Sequence, residues 1–415
     1  MTEQAVSALS IRSERQFEST SASAVEAARR ACDDMRKQDP SAGEEWHVMF
    51  VFTCGDFNEH FVEIVETIRE AIPLRHVIGC TAEAVLGIGR EVEDASAISM
   101  LALRTNRRWT PLRLEFVRSA DGGSIIGWPD DWSCDRPAET QIVLLGDPFT
   151  FPAEVLLEQL DDDHPGIEVF GGMASGAARP GDNRLAHGDT VFADGAVGVV
   201  FHDRPWSSLV SQGCRPIGRT FVITKVEGNV ILELGGLPAY SQLMTVYEQL
   251  PNREKQQAQQ GLHLGRVVSE YLDEYAAGDF LIRNVVGASP DEQTIAVGDY
   301  MRVGQTVQFH LRDVDSADLD LKQGLQAIPA DQRLISASLL FTCNGRGTRM
   351  FPQANHDAAA LQAELGDIPL AGFFAQGEIG PVGGNNFLHG LTASLITYSA
   401  THDSKTSADD SGASA

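Results

Sequence analysis

Three stretches of this chain follow one plan, and that repetition limits the folds open to it more than any other feature. The first begins at His47 with the apolar run VMFVFTCGDF, followed by the helical HFVEIVETIREAI, the short apolar HVIG ending at Gly79, the loop CTAEAVLGIG, and the strand-like AISMLALR from Ala97. The second begins at Gln141: IVLLGDPF, PAEVLLEQLDDD, IEVFGG around Gly171, the loop MASGAARPG, and AVGVVFHD from Ala196. The third begins at Ser338: SLLFTCNGRG, HDAAALQAELG, IPLAG ending at Gly372, the loop FFAQGEIGPVGG, and LTASLITYS from Leu391. From Gly55, Gly146 or Gly345 to the glycine of the second strand is 24, 25 or 27 residues. A recurrent spacing of this kind marks a recurrent structural unit.

An apolar strand, a crossover helix and a second apolar strand predict parallel pairing, because parallel neighbours need a connection of about a dozen residues or more. The unbroken apolar character of VMFVF, IVLL and SLLF predicts strands buried on both faces by helix-covered sheets. The expected fold class is α/β: mixed β-sheets with crossover helices, repeated strand-helix-strand-loop-strand units, and two domains. Between the second and third units, TFVITKVEGNVILEL and TIAVGDYMRVGQTVQFHLRD alternate like antiparallel strands, with a hairpin turn at Glu227-Gly228-Asn229. Pro238 to Tyr247 and Gly265 to Tyr275 read as helices, and NREKQQAQQ as a solvated helix extension or loop. Ala24 to Arg36 reads as a first amphipathic helix capped by Ser21 or Ser23. The expected layout is a mobile N-terminus at 1–23, a first domain at 24–234, a second at 235–400 and a mobile tail at 401–415.

A formal charge of -26 repels phosphate backbones and anionic lipid, so neither nucleic acid nor a membrane is an expected partner. The six cysteines are scattered with no CxxC pair, which speaks for a reducing compartment and against zinc. No export signal or long apolar span is visible, and the expected location is the cytoplasm. The histidines show neither HxH nor HExxH spacing, and no Walker lysine or dinucleotide fingerprint occurs.

In order along the chain, HVIGCTAEAVLG, GGMASGA, GAVGVVF, QGCRPIG, FTCNGRG, GEIGPVGG and LHGLTASL resemble the FIST family. The resemblance covers nearly the whole chain. It implies paired FIST N and FIST C domains acting as a non-catalytic sensory module for a small ligand such as an amino acid, with a separate signalling protein as output. Some FIST proteins are associated with haem and nitric-oxide sensing, which would need an axial ligand, His389 or a cysteine.

The residues themselves offer a candidate ligand site. In Cys343-Asn344-Gly345-Arg346-Gly347, glycines flank an arginine suited to a carboxylate, unless Arg346 pairs internally with Glu378. Glu378, framed by Gly377 and Pro381, suits a ligand amine or a facing guanidinium. Arg215 would line the same cleft or make an interdomain salt bridge. Cys80, Thr81 and Glu83 occupy the loop equivalent to GEIGP, and His389 follows Asn386. The candidate ligand-binding set is thus Arg346, Glu378, Asn344, Cys343, Arg215, Thr81, Gly377 and His389. The competing enzymatic expectation is a cysteine hydrolase or transferase that uses Cys343 or Cys54 with a histidine and Glu378.

Overall fold

The computed structural model describes residues 4–11, 21–39, 41, 43–119, 122–129, 136–271, 275, 277–328 and 335–399. The first unit comprises β1 (Gln4–Ile11), α1 (Ser21–Gln38), β2 (Trp46–Cys54), α2 (Phe61–Ala71), β3 (Leu74–Ala82), β4 (Val85–Gly87), β5 (Arg90–Val92) and β6 (Ala97–Arg104). The second comprises β7 (Trp109–Ser119), β8 (Gly122–Ile126), β9 (Gln141–Gly146), α3 (Ala153–Asp163), β10 (Glu168–Met173), β11 (Leu185–His187), β12 (Thr190–Phe192) and β13 (Ala196–Phe201). The third opens with β14 (Trp206–Gln212), after which the chain leaves to build a separate sheet. That sheet holds β15 (Cys214–Glu227), β16 (Val230–Leu234), β17 (Leu237–Pro238), α4 (Ala239–Gln249), α5 (Asn252–Gln260), β18 (Leu262–Val267), β19 (Phe280–Ser289), β20 (Thr294–Val297) and β21 (Thr306–Arg312). The third unit resumes with α6 (Val314–Ala327), β22 (Ile335–Cys343), α7 (His356–Leu365), β23 (Leu370–Ala375), β24 (Glu378–Val382), β25 (Asn385–His389) and β26 (Thr392–Ser399).

Every unit pairs in the same way. Strand β2 runs parallel to β3 and antiparallel to β6, β9 parallel to β10 and antiparallel to β13, and β22 parallel to β23 and antiparallel to β26. Two of the segments expected to be glycine-rich loops contain strand hairpins, CTAEAVLGIG and FFAQGEIGPVGG, while MASGAARPG is a loop that leads into one, and each hairpin crosses to another unit's sheet. Hairpin β4–β5 of the first unit adds to β23 of the third, β11–β12 of the second adds to β3 of the first, and β24–β25 of the third adds to β10 of the second. The result is a cyclic exchange with pseudo-threefold character. Each exchanged hairpin covers an edge that would otherwise expose unpaired backbone groups.

The three sheets turn one face toward a common core. Alternate residues of β2 divide there, with Phe50 and Phe52 facing inward and Met49 and Val51 packing under α1 and α2. Phe52 and Phe373 meet across the core with ring centroids 4.9 Å apart, and Phe341 lies edge-on to Phe373 at 5.6 Å. Helix α3 covers the second sheet's outer face, and α6 and α7 cover the third's. This double burial is why all nine residues of β2 are inaccessible.

The repeated glycines also have a physical reason. Gly79, Gly171 and Gly372 sit opposite Val51, Leu144 and Leu340 on the parallel neighbour, and a Cβ at any of them would run into that residue's carbonyl oxygen. The expected result for Gly372→Ala is a loss of about 1–3 kcal/mol, read as a lower urea midpoint at unchanged slope.

The separate sheet closes on itself through pairing of β15 with β16 and forms a small barrel. Its interior is filled by Ile217, Phe221, Ile223, Leu264, Val307, Phe309 and Leu311. The helix expected over Gly265 to Tyr275 is not formed at its start: Leu262–Val267 is β18, hydrogen-bonded on both sides, and Gly265 leaves room for the His310 ring. Segment NREKQQAQQ is a helix, α5. At the N-terminus, expected to be mobile, Gln4–Ile11 adds to the sheet beside β6. The tail at 401–415 lies outside the described residues. A boundary at 234/235 falls between β16 and β17, which pair with each other. No described helix is long and apolar enough to cross a membrane.

Candidate functional site

The turn that follows β22 sends its arginine inward. The Arg346 N–H donates to the Cys343 carbonyl at 2.8 Å, Gly347 takes φ 56°, and the Arg346 side chain is completely buried. Its partner is Asp357, in the first turn of α7, through Nε to Oδ2 at 2.8 Å and Nη2 to Oδ1 at 2.7 Å. Thr342 Oγ1 donates to the same carboxylate at 2.6 Å, and His356 Nδ1 lies 2.9 Å from it. Burial by itself would raise the Asp357 pKa, but the Arg346 charge and its hydrogen bonds outweigh that and hold it below the usual carboxylate range. The alternative weighed for Arg346, an internal ion pair with Glu378, is therefore not made. Sequence spacing gave no sign of Asp357, because the pair closes through the fold.

One nitrogen of Arg346, Nη1, has no hydrogen-bond partner, and it is not alone. Arg312, at the end of β21 on the barrel's outer side, leaves Nε and Nη2 buried and unpartnered. No described carboxylate lies within ion-pair range of it. Burial lowers its pKa, and its neighbours are the Cys343 and Cys214 thiols and the Arg346 and Arg349 guanidinium groups. Glu378, wholly buried, accepts through Oε2 from the Thr392 N–H at 3.1 Å and its hydroxyl at 2.8 Å, while Oε1 is unpartnered. Burial pushes its pKa up to about 8 despite the Thr392 hydrogen bonds, the Cys343 thiol and the Arg346 charge beside it. A buried polar group without a partner costs about 1–3 kcal/mol. Arg312, Arg346 and Glu378, linked through Cys343, thus form a prearranged and unsatisfied polar cluster.

The first unit's exchanged hairpin holds this region in place. Glu91 on β5 accepts from the Asp357 and Ala358 N–H groups at 2.8 and 3.0 Å, and so caps α7 from another unit. Glu93 accepts from the Thr348 N–H and hydroxyl, and Glu83 binds the Arg349 guanidinium.

The other expected site residues fall elsewhere or serve as frame. Asn344 hydrogen-bonds through its backbone to Ala375 and Arg349 and stands beside Cys343. Arg215 is partly exposed and pairs with Glu254 at 3.0 Å and Asp313 at 3.8 Å, the salt-bridge alternative. Thr81 is buried where the second unit's hairpin joins the first, accepting from the Arg184 N–H at 3.0 Å. The Gly377 carbonyl accepts from the Met173 N–H at 2.8 Å in the corresponding joint. His389 donates from Nε2 to the Gly380 carbonyl at 2.9 Å, and burial brings its pKa down to about 4. The nitrogen that iron would take is already engaged, so the surroundings of His389 do not fit a haem.

The thiols proposed as nucleophiles, Cys54 and Cys343, are pushed up to about 12, above all by burial, which leaves no thiolate at neutral pH. Cys134 lies outside the described residues. Arg312 was missed because it sits at a polar position of an alternating strand, where an arginine reads as solvent-facing.

The chain belongs to the FIST family: residues 47–237 match the FIST N domain and 237–381 the FIST C domain. FIST domains are small-ligand-binding sensory domains of signal transduction. Over 378 residues the chain is 39% identical to uncharacterized protein Mb0898c of Mycobacterium bovis, covering 90% of this chain and 95% of that one. Over 338 residues it is 40% identical to uncharacterized protein Rv0628c of Mycobacterium tuberculosis, covering 81% and 87%.

Proposed function

We propose that this protein is a non-catalytic cytoplasmic sensor that binds a small carboxylate-bearing metabolite of amino-acid size at Arg312, Arg346 and Glu378, and signals through a separate protein. The observation that supports this reading is Arg312: a guanidinium with two buried, unpartnered nitrogens and no described carboxylate within ion-pair range. Such a group destabilises the empty protein and is satisfied by an anionic ligand. The buried thiols, held protonated, favour binding over covalent catalysis.

Thermal unfolding of the full chain against small carboxylic acids and amino acids tests the reading. A ligand at about 100 times its Kd adds about 2.7 kcal/mol to the folded state, which appears as a raised midpoint. No shift with any compound of either series would remove the proposal.

A further inference from the structure

The groups left open in the cluster are not a balanced set of donors and acceptors. Arg312 offers Nε and Nη2, and Arg346 offers Nη1, all of them donors. The remaining open atom is Glu378 Oε1, and its state decides what the site can hold. Arg346 is committed to Asp357, Thr392 has filled Oε2, and no described cation lies within ion-pair range of Glu378. A buried carboxyl in that situation neutralises by keeping its proton. The groups that bear on it from each neighbouring element agree. Cys343 on β22 is a protonated thiol, Thr392 on β26 is neutral, and His389, across from Glu378 on β25, is neutral and turned to Gly380. Arg346 and Asp357 cancel, so Arg312 leaves one positive charge over.

We propose that the site selects a monocarboxylate lacking an adjacent ammonium, with Glu378 meeting it as a protonated carboxyl that donates through Oε1. The inference rests on the ligand site proposed above. One negative charge then balances Arg312, and every open donor converges on an acceptor. An amino acid would bring an ammonium to a region whose single ionisable acceptor must first give up its proton. The two ligand classes therefore couple to protons with opposite sign: a simple acid keeps the Glu378 proton in place and takes one up at higher pH, whereas an amino acid releases one at neutral pH.

Isothermal calorimetry on the full chain separates them, with propionate, 4-methylpentanoate and 3-phenylpropionate each paired with alanine, leucine or phenylalanine. At about pH 7 the acid is expected to bind at least about tenfold more tightly than its 2-amino partner, with a heat independent of the buffer's ionisation enthalpy. Its affinity should fall as pH rises past Glu378's pKa, at about 8. Glu378→Gln, which keeps a donor in place, should retain acid binding and lose that pH dependence. Tighter binding of the amino acid with proton release would overturn the inference. Infrared spectroscopy of the ligand-free protein gives an independent arm: a protonated carboxyl band lost in Glu378→Gln is expected, and its absence from the wild type would sink this inference alone. Binding by neither series, with the band present, would instead overturn the site reading beneath it.

Discussion

Replacing Asp357 with alanine is expected to destabilise the folded chain by about 3–5 kcal/mol, the largest single-residue effect foreseen here. The substitution leaves the fully buried Arg346 guanidinium without its bidentate partner and takes an acceptor from Thr342 and His356. It also removes the acidic group from the first turn of α7. Because the folded pKa of Asp357 lies below its ordinary 3.8, the stabilisation is complete above that value and disappears as pH falls through the folded one. Urea midpoints taken down through the acid range should therefore decline in the wild type and lose that component in Asp357→Asn. Replacing both partners with apolar residues of similar size, Arg346→Met with Asp357→Leu, should recover much of the loss, since it leaves no charge buried alone. A double variant as unstable as Asp357→Ala would show that packing, and not the orphaned charge, dominates.

Arg312→Leu should act in the opposite direction. It removes a half-buried cation with two buried, unpartnered nitrogens and no described counter-charge, so the ligand-free protein is expected to gain up to about 1 kcal/mol in stability while the midpoint shift given by a bound carboxylate vanishes. The pairing of greater stability with lost binding is what distinguishes a recognition group from a structural one. Arg215→Ala serves as the contrast: its partly exposed ion pairs with Glu254 and Asp313 are worth no more than about 1 kcal/mol, and ligand shifts should persist. If Arg312→Leu destabilises the protein and leaves ligand shifts intact, the guanidinium belongs to the frame.

The sequence was legible where a local pattern has one physical cause. The glycines at 79, 171 and 372 stand out because no side chain fits against the facing carbonyl, and their spacing therefore survives in all three units. The doubly buried strands were equally clear, since helices on one side and a shared core on the other leave few positions for a polar residue. The exchange of hairpins was not legible. A strand three residues long, such as β4 or β11, has the composition of a turn, and nothing local states whose edge it will join. For the site, Arg346, Glu378 and Cys343 were found from their glycine-rich settings. Asp357 and Arg312 were not, because a helix-start aspartate and a strand-end arginine have ordinary explanations until the fold brings them to the same place. Gly265 misled for a related reason: a glycine that admits an imidazole from the next strand looks the same in sequence as one that opens a helix.

The cyclic hairpin exchange gives this protein the form of a domain-swapped trimer written into one polypeptide. None of the three members owns a finished sheet, because each borrows its last two strands from another and lends its own in turn. A fragment that stops after the second member would keep β24's docking edge on β10 bare and leave β4 and β5 with no sheet to enter. Bare edges of that kind seek strands from other molecules, so the two halves matched by the family's domains can be purified as well-behaved bodies only when they are made together.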